Sequence, residues 1–326
     1  MNSFGTLFRV SLFGESHGPA IGVTLDGVPA GIEFSGADME TDIVRRKPGA
    51  SGTTPRVESD MPEILSGMFN GRTTGSPLTV IFRNSNTRSG DYESLKTHPR
   101  PGHADFTAMK KYRGFNDYRG GGHFSGRVTL AVVAAGSIAK KVVPAMEISS
   151  EIVEIGGVKD YAGVLDEAIK SGDSLGGIVQ VKIKGLPCGL GEPFFNSFES
   201  VLSHLLFSIP AVKGVEFGAG FNAARMKGSE NNDLIISPDG KTATNNTGGI
   251  NGGITNGNEI IFRVAVKPTP SISIPQKTLN IKSGSAENLE IRGRHDACVT
   301  LRTPVVFEAC AAIASADMYL INKAYI

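Results

Sequence analysis

Gly14-Glu-Ser-His-Gly-Pro-Ala-Ile-Gly-Val-Thr-Leu-Asp-Gly-Val-Pro-Ala-Gly31 aligns without gaps to Gly172-Asp-Ser-Leu-Gly-Gly-Ile-Val-Gln-Val-Lys-Ile-Lys-Gly-Leu-Pro-Cys-Gly189, with seven of eighteen positions identical. In both copies apolar and polar residues alternate before a Gly-x-Pro breaker, the pattern of a half-buried strand ending in a turn. The parallel continues outward. Gly71-x-Thr73-x-Gly75 leads into strand-like Leu78–Phe82, as Gly253-x-Thr255-x-Gly257 leads into Ile260–Val264. A His-Asp element follows in each half, Gly102-His103-Ala104-Asp105 and Arg294-His295-Asp296, and then a long helix of small residues. Two pseudo-equivalent halves, about 1–150 and 151–326, are therefore expected to share one core as a single domain.

The helices are bounded by their own chemistry. Ser35, three residues before Asp38, predicts a helix running to Lys47 and stopped by Pro48-Gly49, and Ser197 opens its counterpart, ended by Pro210. Val128–Val143, and Val305 to about Leu320 with Pro304 at its first position, read as Ala-rich central helices. Strands and helices do not alternate regularly, and no Gly-x-Gly-x-x-Gly follows a strand, so an α+β layered fold is expected in place of a Rossmann domain.

Composition narrows the function. With 33 Lys+Arg against 32 Asp+Glu in 326 residues, the formal charge of +1 supplies no global field for nucleic acid or an anionic membrane. Val128–Ala139, read as the longest apolar stretch, is too short to span a bilayer, and MNSFGTLFRV has no signal-peptide pattern, so a cytoplasmic protein is expected. Cys188, Cys298 and Cys310 suit neither a disulfide framework nor a zinc site and read as core thiols. Glycine, 41 residues, clusters at Gly120–Gly122, Gly248-Gly249 and Gly252-Gly253, either as tight turns or as loops that let backbone approach a ligand.

Arg45-Arg46-Lys47 closes the first predicted helix, where cations suit the macrodipole; its counterpart in the repeat is Ser203-His204-Leu205, so the triplet points to an anionic ligand. Arg100, Arg113, Arg119, Arg127 and Arg294 lie near other motifs and are candidates for the same patch. His17 is replaced by Leu175 in the second copy, an asymmetry that sets a proton-transfer role level with a structural one. Asp105 either orients His103 or caps the helix that follows. Three functions remain: a metal-dependent phosphohydrolase using His98, His103, Asp105, His295 and Asp296; a lyase or transferase acting on a phosphorylated, carboxylated small molecule; and a nonenzymatic scaffold.

At these residues the chain resembles the chorismate synthases, essentially from end to end. The motifs are Phe13-Gly-Glu-Ser-His-Gly18, Asp42-Ile-Val-Arg-Arg-Lys-Pro-Gly49, Arg100-Pro-Gly-His-Ala-Asp105, Asp117-Tyr-Arg-Gly-Gly-Gly-His-Phe-Ser-Gly-Arg127, Ala211-Val-Lys-Gly-Val-Glu216, Lys267-Pro-Thr269 and Gly293-Arg-His-Asp296. The resemblance implies a β-α-β sandwich with long helices between antiparallel sheets, and a 1,4-elimination of phosphate from 5-enolpyruvylshikimate 3-phosphate with reduced FMN. It implies catalytic roles for His17, His103 and Asp296, and substrate binding by Ser16, Arg45, Arg46, Arg119 and Arg127. FMN binding would fall to His123, Phe124, Ser125, Pro210, Ala211, Gly252, Lys267, Pro268, Thr269, Pro270, Ser271 and Arg294. It further implies a homotetramer and an external flavin reductant in place of intrinsic NADPH-dependent reduction. Gly52, Ala297 and Pro270 depart from the commonest family pattern, which has arginine, proline and serine there.

Overall fold

Each copy of the repeat builds the middle of a sheet. The structure, a computed structural model, describes residues 2–56, 58–87, 89–291 and 295–325. Strands β1 (Ser3–Phe4), β2 (Arg9–Gly14), β3 (Ala20–Asp26), β4 (Glu63–Ser66) and β5 (Leu78–Arg83) form an antiparallel sheet in the order β1-β2-β3-β5-β4. Strands β6 (Glu147–Ile155), β7 (Gly177–Lys184), β8 (Val212–Phe217) and β9 (Ile260–Val266) form a second, ordered β8-β9-β7-β6 and also antiparallel. The strand read in the first repeat copy is β3 and that in the second is β7. In β9 every other residue is buried from Ile260 to Val266, the alternation that sets one face of a sheet against a core.

The helices are α1 (Gly36–Arg46), α2 (Asp105–Lys111), α3 (Thr129–Val142), α4 (Ala162–Ser171), α5 (Phe198–Ser208) and α6 (Pro304–Tyr325), of which α1, α3, α5 and α6 form the layer between the sheets. The α3 helix packs on β3 and α6 on β6, while α3 and α6 pack on each other, giving an α+β sandwich of sheet, helices and sheet. Small residues make this contact close. A Cβ on Gly136 would stand 2.4 Å from that of Ala309, so only glycine lets the two helices approach this far. One apolar cluster joins both sheets through Val23, Ile138, Val181 and Ile313.

The boundaries follow the expected chemistry. The Ser35 amide donates to the Asp38 carboxylate (2.8 Å) at the start of α1, Pro48 follows its end, and Ser197 accepts from the Ser200 amide (3.0 Å) ahead of α5. Two expectations change. The longest apolar element is α6, 22 residues long and apolar enough by length and composition to cross a membrane, but 78% of that window is buried inside the protein. Cys188 is exposed, because it sits in the turn after β7, whereas Cys298 and Cys310 are buried.

Candidate active site

The three glycines at 120–122 bring the two candidate histidines together. All three have positive φ (59°, 81° and 55°), which L side chains resist. A Cβ on Gly120 would lie 2.6 Å from Cδ2 of His17 and 2.8 Å from Oγ of Ser16; one on Gly121 would lie 3.5 Å from Cε1 of His103. His17 and His103 thus flank one glycine turn at the wall of a cavity of about 700 Å³, within the size range of small-molecule sites. The His17 ring also meets Tyr92 edge to face, with ring centroids 5.2 Å apart.

His103 is held from behind. Its Nδ1 lies 2.6 Å from Asp105 Oδ1, and Asp105 also takes Arg100 Nε (2.7 Å) and NH2 (2.8 Å) in a two-pronged pair. Arg100 NH1 in turn donates to Ser271 Oγ (2.9 Å). Burial, with the nearby charges of Arg100 and Lys267, pushes His103 below its usual value against the opposing pull of Asp105. Burial would raise Asp105, but Arg100 and His103 hold it far below the ordinary carboxylate range. The pair leaves Nε2 of His103 as its outward atom. Asp105 begins α2 but spends its carboxylate on Arg100 and His103, so orientation of the imidazole is its role.

A second wall is cationic. Arg46 is buried, with Nε on Thr129 Oγ1 (3.1 Å) and NH2 on the Gly126 carbonyl (2.7 Å); burial and the charges of Arg302 and Arg127 drive it well below its usual value. Arg127 gives NH1 to Asp60 (2.5 Å) and Nε to Asn84 Oδ1 (2.9 Å), and its buried NH2 has no hydrogen-bond partner among the described residues. Arg302 bonds the Arg46 carbonyl (3.0 Å) and Asp296 (3.1 Å), and Asp296 also accepts the Thr54 amide (2.9 Å). Lys267 is lowered by burial and by Lys213. Seven basic side chains line the cavity against three carboxylates, so a local field selects anions although the whole chain is nearly neutral. The remaining wall, with Phe124, Val128 and Leu205, is apolar.

Comparison with known proteins bears directly on this arrangement. The family model described as chorismate synthase matches residues 8–320. The chain belongs to the chorismate synthase family. It is 60% identical over 324 residues to the chorismate synthase of Chitinophaga pinensis, covering 99% of this chain and 98% of that one. The chorismate synthase of Dehalococcoides mccartyi is 46% identical over 351 residues, covering 98% and 96%. A crystal structure of chorismate synthase superposes with a TM-score of 0.74 at 28% identity, over 97% of this chain and 93% of that one. Chorismate synthases are carbon–oxygen lyases of the shikimate pathway.

Of the residues the resemblance to chorismate synthase implies, Ser16, His17, Arg46, His103, His123, Phe124, Ser125, Arg127, Pro210, Ala211, Lys267, Thr269, Pro270, Ser271 and Asp296 line the cavity. Ala211 does so in a left-handed conformation (φ 74°), with its carbonyl accepting the Lys267 amide (2.9 Å). His123 turns its ring nitrogens to the Gly14 carbonyl (2.7 Å) and Asn2 (3.3 Å). Four residues are placed elsewhere. Arg45 leaves on the other face of α1 and forms a two-pronged pair with buried Glu308 (2.6 Å), which also meets Ser150. Arg119 turns back on Asp117 (2.8 Å); Gly252 is the tip of the Ile250–Thr255 hairpin; Pro268 packs behind the wall, close to Gly176. Arg294 lies outside the described residues.

Sequence reasoning missed Arg56, Glu58, Asp60 and Arg302. In the sequence the first three recur at every second position, and that spacing is the one signal that sets them apart. Arg56 bonds Oγ and the carbonyl of Ser16 (3.0 and 3.1 Å) and pairs with Glu58 (2.8 Å). The five residues of the metal reading do not meet at a point: His98 pairs with Glu287 (2.9 Å), His103 and Asp105 with Arg100, and Asp296 with Arg302. Among the described residues no three His, Cys, Asp or Glu side chains gather as metal ligands.

Proposed function

We propose that this cavity converts 5-enolpyruvylshikimate 3-phosphate to chorismate by 1,4-elimination of phosphate, using reduced FMN. The observation that carries this reading is that the cationic wall with the open NH2 of Arg127 lines the same cavity as two histidines that flank one glycine turn. The substrate bears two carboxylates and a phosphate and needs such a wall. The residues also fit a flat, partly apolar ring system bearing a phosphate. Thr269 Oγ1 is buried without a partner among the described residues, Lys213 and Lys267 line the same cavity, and Phe124, Val128 and Leu205 supply a carbon surface. His123 through Ser125, Pro210-Ala211 and Lys267 through Ser271, save Pro268, are the residues assigned to hold FMN. When bound, reduced FMN supplies the transient electron that lets the carbon–oxygen bond break with no net redox change.

The protein's own residues carry the protons and the charges. Arg127 and Arg46 bind the anionic groups, and Asp60 and Asn84 fix the guanidinium of Arg127. His103, neutral in the free site, gains a proton as a phosphate approaches Nε2, because an opposing negative charge raises an imidazole that burial has lowered. It then gives that proton to the departing phosphate oxygen. His17, with Ser16 and Arg56 behind it, is the second proton donor, and Asp296 takes the proton lost from the substrate ring.

Self-association as a homotetramer, supported by the exposed rings of Phe194, Phe195 and Phe221, a cytoplasmic location and an external flavin reductant complete the proposal. An anaerobic assay with the substrate and chemically reduced FMN, following both products, tests it. Equimolar chorismate and phosphate with reduced flavin alone is the expected result; phosphate without chorismate, abolished by a chelator, would overturn it. NADPH as sole reductant should yield neither product.

A further inference from the structure

We infer that Asn84 is a positioning residue that sets the His17 loop and the Arg127 guanidinium with a single carboxamide. It stands just after β5 and outside the cavity lining. Its Oδ1 accepts Arg127 Nε (2.9 Å), while Nδ2 donates to the carbonyls of Glu15 (3.0 Å) and Gly18 (2.8 Å), the residues that bracket Ser16 and His17. The orientation of the amide is forced, because a guanidinium can meet only the oxygen and two carbonyls can meet only the N–H groups. The Asn84 amide nitrogen also donates to the Pro19 carbonyl (3.1 Å), so its backbone is locked to the same loop.

Two consequences follow from this arrangement. With NH1 held by Asp60 and Nε by Asn84, the guanidinium of Arg127 is fixed at two of its three nitrogens, and NH2 alone is open to an incoming anion. The loop that carries His17 is fixed to the same carboxamide, so the separation of the proton donor and the anion-binding group is set by one rigid side chain. Loosening either contact shifts both groups relative to a bound substrate. The inference rests on the roles proposed for His17 and Arg127.

Asn84→Asp is the discriminating variant, because it is isosteric and keeps the oxygen for Arg127 but turns a second oxygen on the Glu15 and Gly18 carbonyls. Turnover per folded molecule should fall at least about tenfold and its pH profile should shift, while 5-enolpyruvylshikimate 3-phosphate binds the flavin-free chain within about threefold of the wild-type dissociation constant. Asn84→Ala removes both contacts and should weaken that binding as well; it is read in the same way should Asn84→Asp not fold. A lower melting temperature with unchanged turnover and pH profile would overturn the inference, since that is all a purely structural residue would do. His17→Ala and Arg127→Met run in parallel. If both are impaired and the Asn84 variants are not, only this inference fails; if neither is impaired, the proposed roles of His17 and Arg127 fail with it.

Discussion

Asp105 holds Nδ1 of His103 at 2.6 Å while both of its oxygens bind Arg100, so one buried carboxylate fixes the tautomer of the imidazole and the position of its neighbouring cation. The charge of Asp105 opposes the burial that lowers His103. Its removal has a defined sign. In Asp105→Asn the imidazole titrates still lower, less of it is protonated near neutrality, and the limb where activity falls with rising pH moves to lower pH. Turnover at pH 7.5 should drop about tenfold or more, read from the pH dependence of kcat.

Arg45 and Arg127 are both arginines of conspicuous motifs, but they face different ways. Arg45→Met breaks the pair with Glu308, but Arg45 is 41% exposed and Lys140 and Ser150 still meet Glu308, so it should cost about 1–2 kcal/mol while leaving KM per folded molecule within about twofold. Arg127→Met should instead cut kcat/KM about a hundredfold or more. Urea denaturation beside steady-state kinetics separates the two. A large rise in KM for Arg45→Met would return that residue to the site.

Glu58 joins the Arg56–Ser16 contact to the loop after β5 by accepting Ser85 and Asn86 amides. Burial would raise it, yet hydrogen bonds from Arg56 and Ser85 and the charge of Arg127 bring it down from 4.5 to about 2. A carboxylate lowered on folding stabilises the native state above its unfolded value, and that contribution is lost as pH falls from 4.5 towards 2. Glu58→Gln should therefore cost roughly 2–3 kcal/mol at pH 7, and the gap from wild type should narrow by about 1 kcal/mol at pH 3.5. Urea titrations at the two pH values measure it.

The residues that were legible in the sequence are those whose local chemistry has one outcome. Ser35 with Asp38, Ser197 and Pro304 mark helix starts wherever the chain goes afterwards, and the alternation in β7 and β9 survives any packing. His17 stood out because its repeat partner is Leu175. Arg45 and Arg46 could not be told apart, since adjacent helical residues point about 100° apart and sequence does not say which faces the cavity. Arg302 was hidden because its partner Asp296 and its acceptor at Arg46 are joined only by the tertiary fold. Gly120–Gly122 read equally well as a turn or as a ligand loop; only the atoms around each missing Cβ distinguish them.

That last distinction gives a paired prediction. Gly120 and Gly121 both hold positive φ, so alanine at either position carries a similar backbone cost of about 1–2 kcal/mol. They differ in what the new methyl meets. At Gly121 the nearest atom is Cε1 of His103 at 3.5 Å, an ordinary contact, whereas at Gly120 it is Cδ2 of His17 at 2.6 Å with Ser16 Oγ at 2.8 Å, which no Cβ tolerates. Gly120→Ala must displace His17 or the loop that carries it. Its turnover should fall about a hundredfold, while Gly121→Ala loses similar stability but keeps turnover within about tenfold of wild type. Because the strain is common to both, the ratio of the two turnover numbers isolates the position of His17. A ratio near one would show that this imidazole has no position to lose.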